Sequence, residues 1–225
     1  MSAIFEGRTS DSPYIHMVWR GRVEQDNIAV CPADVQWNLL FVRHEDKVRV
    51  SIEGPTSKAI TKNQLEGSEF LVIKFELGTY TPDLSLTTLL DRDAVLPEAA
   101  GKSFWLKGAA WQLPDFENAE TFVDRLVREG LLIHDPVVGA ALKEQAPPVS
   151  FRTVRRRFLH ATGLPHKTIQ QIERAQQAAA LLEKGVPILD AVFEVGYADQ
   201  PHMTRSLKRF YGQTPAQLAR VGEPE

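Results

Sequence analysis

Along residues 166–183 the apolar positions Ile169, Ile172, Ala175, Ala179 and Leu182 recur at helical spacing. That period predicts one straight helix from His166 to Glu183, stopped by Gly185. A shorter helical pattern precedes it. Ser150 is a good N-cap, Val154 and Phe158 form an i, i+4 apolar stripe, and Gly163 supplies the left-handed stop. Arg152, Arg155 and Arg156 lie off that stripe. A similar pattern returns about fifty residues later. Pro187 suits the first turn of a helix over Ile188–Glu194, and Val195-Gly196-Tyr197 is a turn. Asp199 then caps a helix over Gln200–Tyr211 with Met203, Leu207 and Phe210 inward and Gln200, His202, Arg205, Ser206 and Lys208 outward. Gly212 ends it, and Thr214-Pro215 starts a last helix through Leu218.

The first half reads differently. Tyr14–Trp19, Gln36–Val42, Val48–Ile52 and Glu69–Glu76 have the length and residue types of strands, and Val48-Arg-Val-Ser-Ile52 alternates as a half-buried strand does. Gly54-Pro55, Asn63, Gly67 and Pro82-Asp83 punctuate them, and Leu84–Leu90 suits a short helix. Asp115–Gly130 is amphipathic, with Phe116, Ala119, Phe122, Val123, Leu126 and Val127 on one side. Two readings of that stripe stand: packing on its own lobe, or a subunit interface. Asp135 caps Pro136–Lys143, a supporting helix with Val137, Val138, Ala141 and Leu142 inward, and Gln145–Val149 is the turn into the next helix. The fold class is therefore α+β in two domains, β-rich before all-α.

Two helix-turn-helix units thus flank one rod. Eighteen residues span roughly 27 Å, so with flanking turns the second helices of the two units fit neighbouring major grooves, about 34 Å apart. Outer faces of Arg, Gln and His suit those grooves, because Arg grips guanine and Gln adenine, each by two hydrogen bonds. The candidate base readers are Arg152, Arg155 and Arg156 in about 150–161, and Gln200, His202 and Arg205 in about 200–211; Thr204 and Lys208 reach phosphates.

These segments resemble the AraC/XylS family of bacterial transcription regulators. The resemblance runs through Ser150-x-Arg-x-Val-x-Arg-x-Phe158, Arg174-x-x-x-Ala-x-Leu-Leu182, Val195-Gly-Tyr-Ala-Asp199, Arg205-x-x-Lys208 and Gly212-x-Thr-Pro215. Val192, Pro201, Met203 and Leu207 depart from the usual pattern at core or helix-start positions. The resemblance implies a DNA-binding domain over 131–225. It also implies that 1–130 is a cupin-like barrel or sandwich for effector binding or dimerisation. Double-stranded promoter or operator DNA would be the partner, with a small effector, a homodimer and, for an activator, RNA polymerase as further expectations.

Net charge is −3, which looks wrong for a DNA binder until it is divided. Residues from 146 onward hold eleven Lys and Arg against seven Asp and Glu, whereas residues 1–145 hold fifteen against twenty-two. The positive excess sits with the proposed groove-facing helices. Apolar content of 43% is ordinary for a soluble protein, and no apolar run reaches membrane-span length. The amino-terminal residues lack a signal-peptide pattern, and the single Cys31 suggests a reducing cytosol, so a cytoplasmic location is expected.

Candidate chemistry in the first half is sparse. Trp19, Trp37, Trp105 and Trp111 all lie there, and aromatics lining a small barrel could hold an effector; core packing is the plainer reading. His16, His44 and His134 have no metal-ligand spacing, Cys31 reads as a small hydrophobe, and there is no phosphate loop or nucleophile elbow, so no cofactor and no enzyme activity are expected. Some DNA-alkylation repair enzymes join such a helix-turn-helix to a cysteine-rich module, which one cysteine cannot build. A partner-binding protein that has lost base readout is the other class to be separated by experiment.

Overall fold

The computed structural model describes residues 3–100, 102–142 and 149–221. The strands are β1 (Ala3–Thr9), β2 (Ile15–Val23), β3 (Asn27–Cys31), β4 (Asn38–His44), β5 (Lys47–Glu53), β6 (Ile60–Gln64), β7 (Glu69–Phe75), β8 (Thr79–Tyr80), β9 (Asp93–Leu96), β10 (Glu98–Ala99), β11 (Ser103–Leu106), β12 (Ala109–Gln112) and β13 (Ile133–His134). The helices are α1 (Ala119–Arg128), α2 (Pro136–Leu142), α3 (Phe151–Thr162), α4 (His166–Glu183), α5 (Ile188–Glu194), α6 (Gln200–Phe210) and α7 (Pro215–Val221). A β-rich region is thus followed by a helical one, as the change of period predicts.

Two compact units emerge. One takes the chain up to Ile28, Gln36–Pro55 and Asn63–Leu164; the other takes Ala29–Val35, Thr56–Lys62 and Pro165 onward. Helices α1–α3 therefore belong to the first unit and α4–α7 to the second.

In the first unit, six antiparallel strands run in the order β1-β2-β7-β4-β5-β9. Among the described residues β1 and β9 pair on one side only, so the sheet is open and not a closed barrel. Strand β4 lies at its centre because Leu39 and Phe41, two apart, both face the core. Residues from elsewhere cover that face: Phe104 of β11, Trp111 of β12, and Phe122, Val123 and Leu126 of α1. The apolar stripe of α1 is thus spent inside its own unit, the first of the two readings. The segment Leu84–Leu90 contains a 3-10 turn over Leu86–Leu89, with Leu86 and Leu89 buried.

Arg8 on β1 fastens that strand to α1. Its Nη2 donates to Glu120 Oε2 and to the Phe116 carbonyl, each at 2.7 Å, and its Nη1 donates to Glu120 Oε1. These bonds hold the Glu120 carboxyl at a pKa of about 2, against partial burial that would raise it. A depressed carboxylate pKa adds stability above the unfolded-state value, and that stability is lost as pH falls toward 2. Because both side chains keep about a third of their surface in water, the contribution is discounted to about 1–2 kcal/mol. Denaturant unfolding should show Glu120→Gln weaker than the parent by that amount at pH 7, with the gap closing below pH 4.

In the second unit, α4 turns Ile169, Ile172, Ala175, Ala178, Ala179 and Leu182 inward, all essentially without exposure. Three alanines on that face let neighbouring helices approach its backbone closely. Met203, Leu207 and Phe210 of α6 and Leu218 of α7 complete the buried set. Among the described residues, strands β3 and β6 pair only with each other.

Candidate nucleic-acid interface

Helix α3 begins where its sequence says it should. Ser150 is extended (φ −62°, ψ 151°), and its hydroxyl accepts the Thr153 N–H at 3.3 Å. Gly163 closes the helix at φ 72°, where a side chain would also press on the Leu86 carbonyl. Between these ends Phe158, Ala161 and Thr162 are buried, while Arg152, Arg155 and Arg156 all reach solvent. Arg157 does not share their face. Its Nε donates to Asp135 Oδ2 at 2.7 Å, and this bond raises the arginine's pKa further despite some burial. Asp135 is itself buried and accepts the Val137 N–H at 2.8 Å, capping α2. Helices α2 and α3 are thereby tied. The part of the α2–α3 turn at Gln145–Pro148, with Lys143, lies outside the described residues, as does the side chain of Leu142.

The second surface is built on α6. Asp199 is extended, and its carboxylate accepts the His202 N–H at 2.6 Å. Pro201 falls within the first turn, where the missing N–H has no helical acceptor to lose. Gln200, His202, Arg205 and Lys208 are exposed, and Thr204 is half-buried. Ser206, expected outside, instead meets the Tyr197 hydroxyl at 2.8 Å. Tyr197 carries several of these groups. The His202 ring stands edge-on to it at 5.1 Å, and the Arg174 guanidinium lies 5.8 Å from its centroid. Burial pushes the Tyr197 phenol up, against the Ser206 bond and Arg174, so it stays neutral and fixes the turn. Helix α5 starts one residue later than Pro187, which is its N-cap, and Gly196 makes the turn at φ 72°.

Both outer faces therefore present exposed cationic side chains, joined on α6 by the Gln200 amide, on helices whose other faces are locked by packing. Among the described residues no group of three or more His, Cys, Asp or Glu could hold a metal ion, and no helix is long and apolar enough to cross a membrane.

The four tryptophans do not gather. Trp37 is buried, stacked on Phe75 at 4.1 Å, and its indole N–H donates to the Thr79 carbonyl at 2.6 Å. Trp111 is buried beside Phe122, its N–H has no partner among the described residues, and Arg125 lies over its ring at 4.6 Å. Trp19 is half-buried under Lys74, and Trp105 is exposed. A groove of about 640 Å³ in the first unit is lined by none of them; its floor includes Phe41, Phe70, Leu71 and Phe116. Cys31 is half-buried at the end of β3.

A family profile described as "Helix-turn-helix domain" matches residues 147–220. The HTH-type transcriptional regulator VirS of Mycobacterium tuberculosis, from two strains, is 38% identical over 72 residues, which is 32% of this chain and 21% of VirS. The match therefore spans about a fifth of that relative's length. The solved structure of ToxT from Vibrio cholerae superposes over 96% of this chain and 98% of its own, at 8% identity and a TM-score of 0.43, an overlap too loose to assign a fold. Residues 147–220, which hold both capped helices and the intervening α4 in the expected order, are a helix-turn-helix domain.

Proposed function

We propose that this chain is a sequence-specific DNA-binding transcription regulator that places α3 and α6 in successive major grooves of promoter or operator DNA. The observation that carries the reading is the two-faced character of both helices. Met203, Leu207 and Phe210 fix α6 from within while Gln200, His202 and Arg205 are exposed on its outer side; Phe158 and Ala161 fix α3 while Arg152, Arg155 and Arg156 are exposed. The VirS match agrees with this, since that relative's name is that of a transcriptional regulator. As an activator the protein would also meet RNA polymerase, and a homodimer would let it span a second pair of grooves.

Selection of bound genomic fragments by the full chain, followed by footprinting, tests the proposal. Two protected windows about 10–10.5 base pairs apart are expected, with affinity falling steeply as salt rises. Recovery of no preferred sequence, or protection of one window only, overturns it.

Control by a small effector belongs to the same reading. The groove over Phe41, Phe70, Leu71 and Phe116 supports it better than the tryptophans do, because none of the four indoles lines it. Its rim cations are already matched: Arg20 meets Glu6 at 3.0 Å, and Arg43 meets Glu69 at 3.9 Å. Such a groove favours a neutral, largely apolar molecule.

A further inference from the structure

The last carbonyls of any helix lack helical donors and must find others. At the end of α6, Tyr211 N–H reaches the Leu207 carbonyl at 2.7 Å. The acceptors at Arg209 and Phe210 are served from far away in sequence. Ala59 N–H donates to the Arg209 carbonyl at 2.9 Å, and Ala33 N–H donates to the Phe210 carbonyl at 2.6 Å.

Both donors sit on segments, 29–35 and 56–62, that belong to the same compact unit as α4–α7. The two segments are fastened to each other. Strands β3 and β6 pair, Thr56 N–H donates to the Asp34 carbonyl, and Asp34 N–H donates to the Thr56 hydroxyl, both at 2.8 Å. Helix α4 holds the same piece, since Gln176 Nε2 donates to the Ala33 carbonyl at 3.1 Å. One peptide unit either side of Ala33 thus links α4 to α6. Gly212 shows how close the fit is. At φ 75° a side chain is already disfavoured, and a Cβ there would stand 2.7 Å from Val30 Cγ1 and 3.2 Å from Ala59 Cβ.

We propose that the paired segments 29–35 and 56–62 are positioning elements for DNA recognition: they seat the end of α6 against α4 and so set how that helix meets its groove. The proposal rests on the DNA-binding reading for its consequence, but its structural half needs no DNA. Residues in the first third of the chain then determine affinity and base preference at one groove and not at the other.

The test uses the full chain with three substitutions. Gln176→Glu keeps the shape and removes the donor, Gln176→Lys keeps a donor, and Gly212→Val presses on Val30 and Ala59. Amide hydrogen exchange without DNA should quicken over Leu207–Tyr211 in Gln176→Glu and Gly212→Val, and return toward the parent in Gln176→Lys. On a selected fragment, Gln176→Glu should lose about tenfold in affinity, the worth of one hydrogen bond to a well-placed acceptor. Its footprint should fade over the α6 window while the α3 window persists. Unchanged exchange in both disruptive variants, or equal fading of both windows, overturns the proposal. Should the parent chain bind no fragment, the DNA reading fails on its own, and hydrogen exchange still decides independently whether these segments seat α6.

Discussion

Arg156→Glu combined with Arg205→Glu is expected to lower affinity for a selected fragment by at least about a thousandfold at physiological salt. The loss of a bidentate guanidinium contact to guanine costs about 1–3 kcal/mol, and every 1.4 kcal/mol is tenfold. Reversal adds repulsion from phosphates to each loss. Both side chains are exposed, so thermal unfolding should move little, and lost binding cannot be blamed on lost folding. Lys208→Ala is the control of a different kind. A lysine that touches phosphate weakens all sequences alike and lowers the slope of log affinity against log salt by about 1. Survival of both affinity and salt slope in the double reversal would assign these helices to some surface other than a groove, and would favour a partner-binding protein.

What the sequence shows best is what local physics decides. Helix α4 runs over the predicted residues because its apolar period, a proline before it and a glycine after it all agree. The caps Ser150 and Asp199 act as expected, since an N-cap needs only the next three residues. The central strands β2, β4, β5 and β7 were visible through their β-branched and aromatic residues. Strands β1, β3 and β6 were not. Ile4, Phe5, Ile28 and Val30 stay exposed on the first two, so large apolar residues there do not mark a core-facing side. Non-local bonds were equally hidden. Nothing in the run Arg155-Arg156-Arg157 tells the third arginine from its neighbours until Asp135, twenty-two positions earlier, is seen beside it. Nor does any motif reveal that Ala33 and Ala59, in a region read for strands, finish a helix that starts at Gln200. Backbone donors carry no side-chain signature, and such contacts are absent from any periodicity.

The same arginine run yields the second large effect, this time on stability. Arg157→Leu should destabilise the first unit by about 2–3 kcal/mol, read as a shift of the denaturant midpoint at constant slope. The cause lies with the partner. The Asp135 side chain is 3% exposed, and the loss of Arg157 takes away the guanidinium that matches its charge, leaving the Val137 N–H as a neutral donor. Removing one partner of a fully buried pair costs about 3–5 kcal/mol; the loss falls to about 2–3 kcal/mol here because Arg157 is 38% exposed, and water can reach the space it leaves. Asp135→Asn in the same background removes the charge while keeping an oxygen to cap α2, so it should recover roughly half of the loss. A double-mutant cycle on these two positions measures their coupling directly. At a temperature where Arg157→Leu remains folded, its affinity for DNA should stay within about threefold of the parent, because its guanidinium was never offered to the groove. Arg156→Leu should do the reverse, leaving stability within about 0.5 kcal/mol and weakening binding about tenfold or more. If both substitutions change stability and binding in parallel, then adjacent arginines do not divide these tasks, and the face assigned to α3 is wrong.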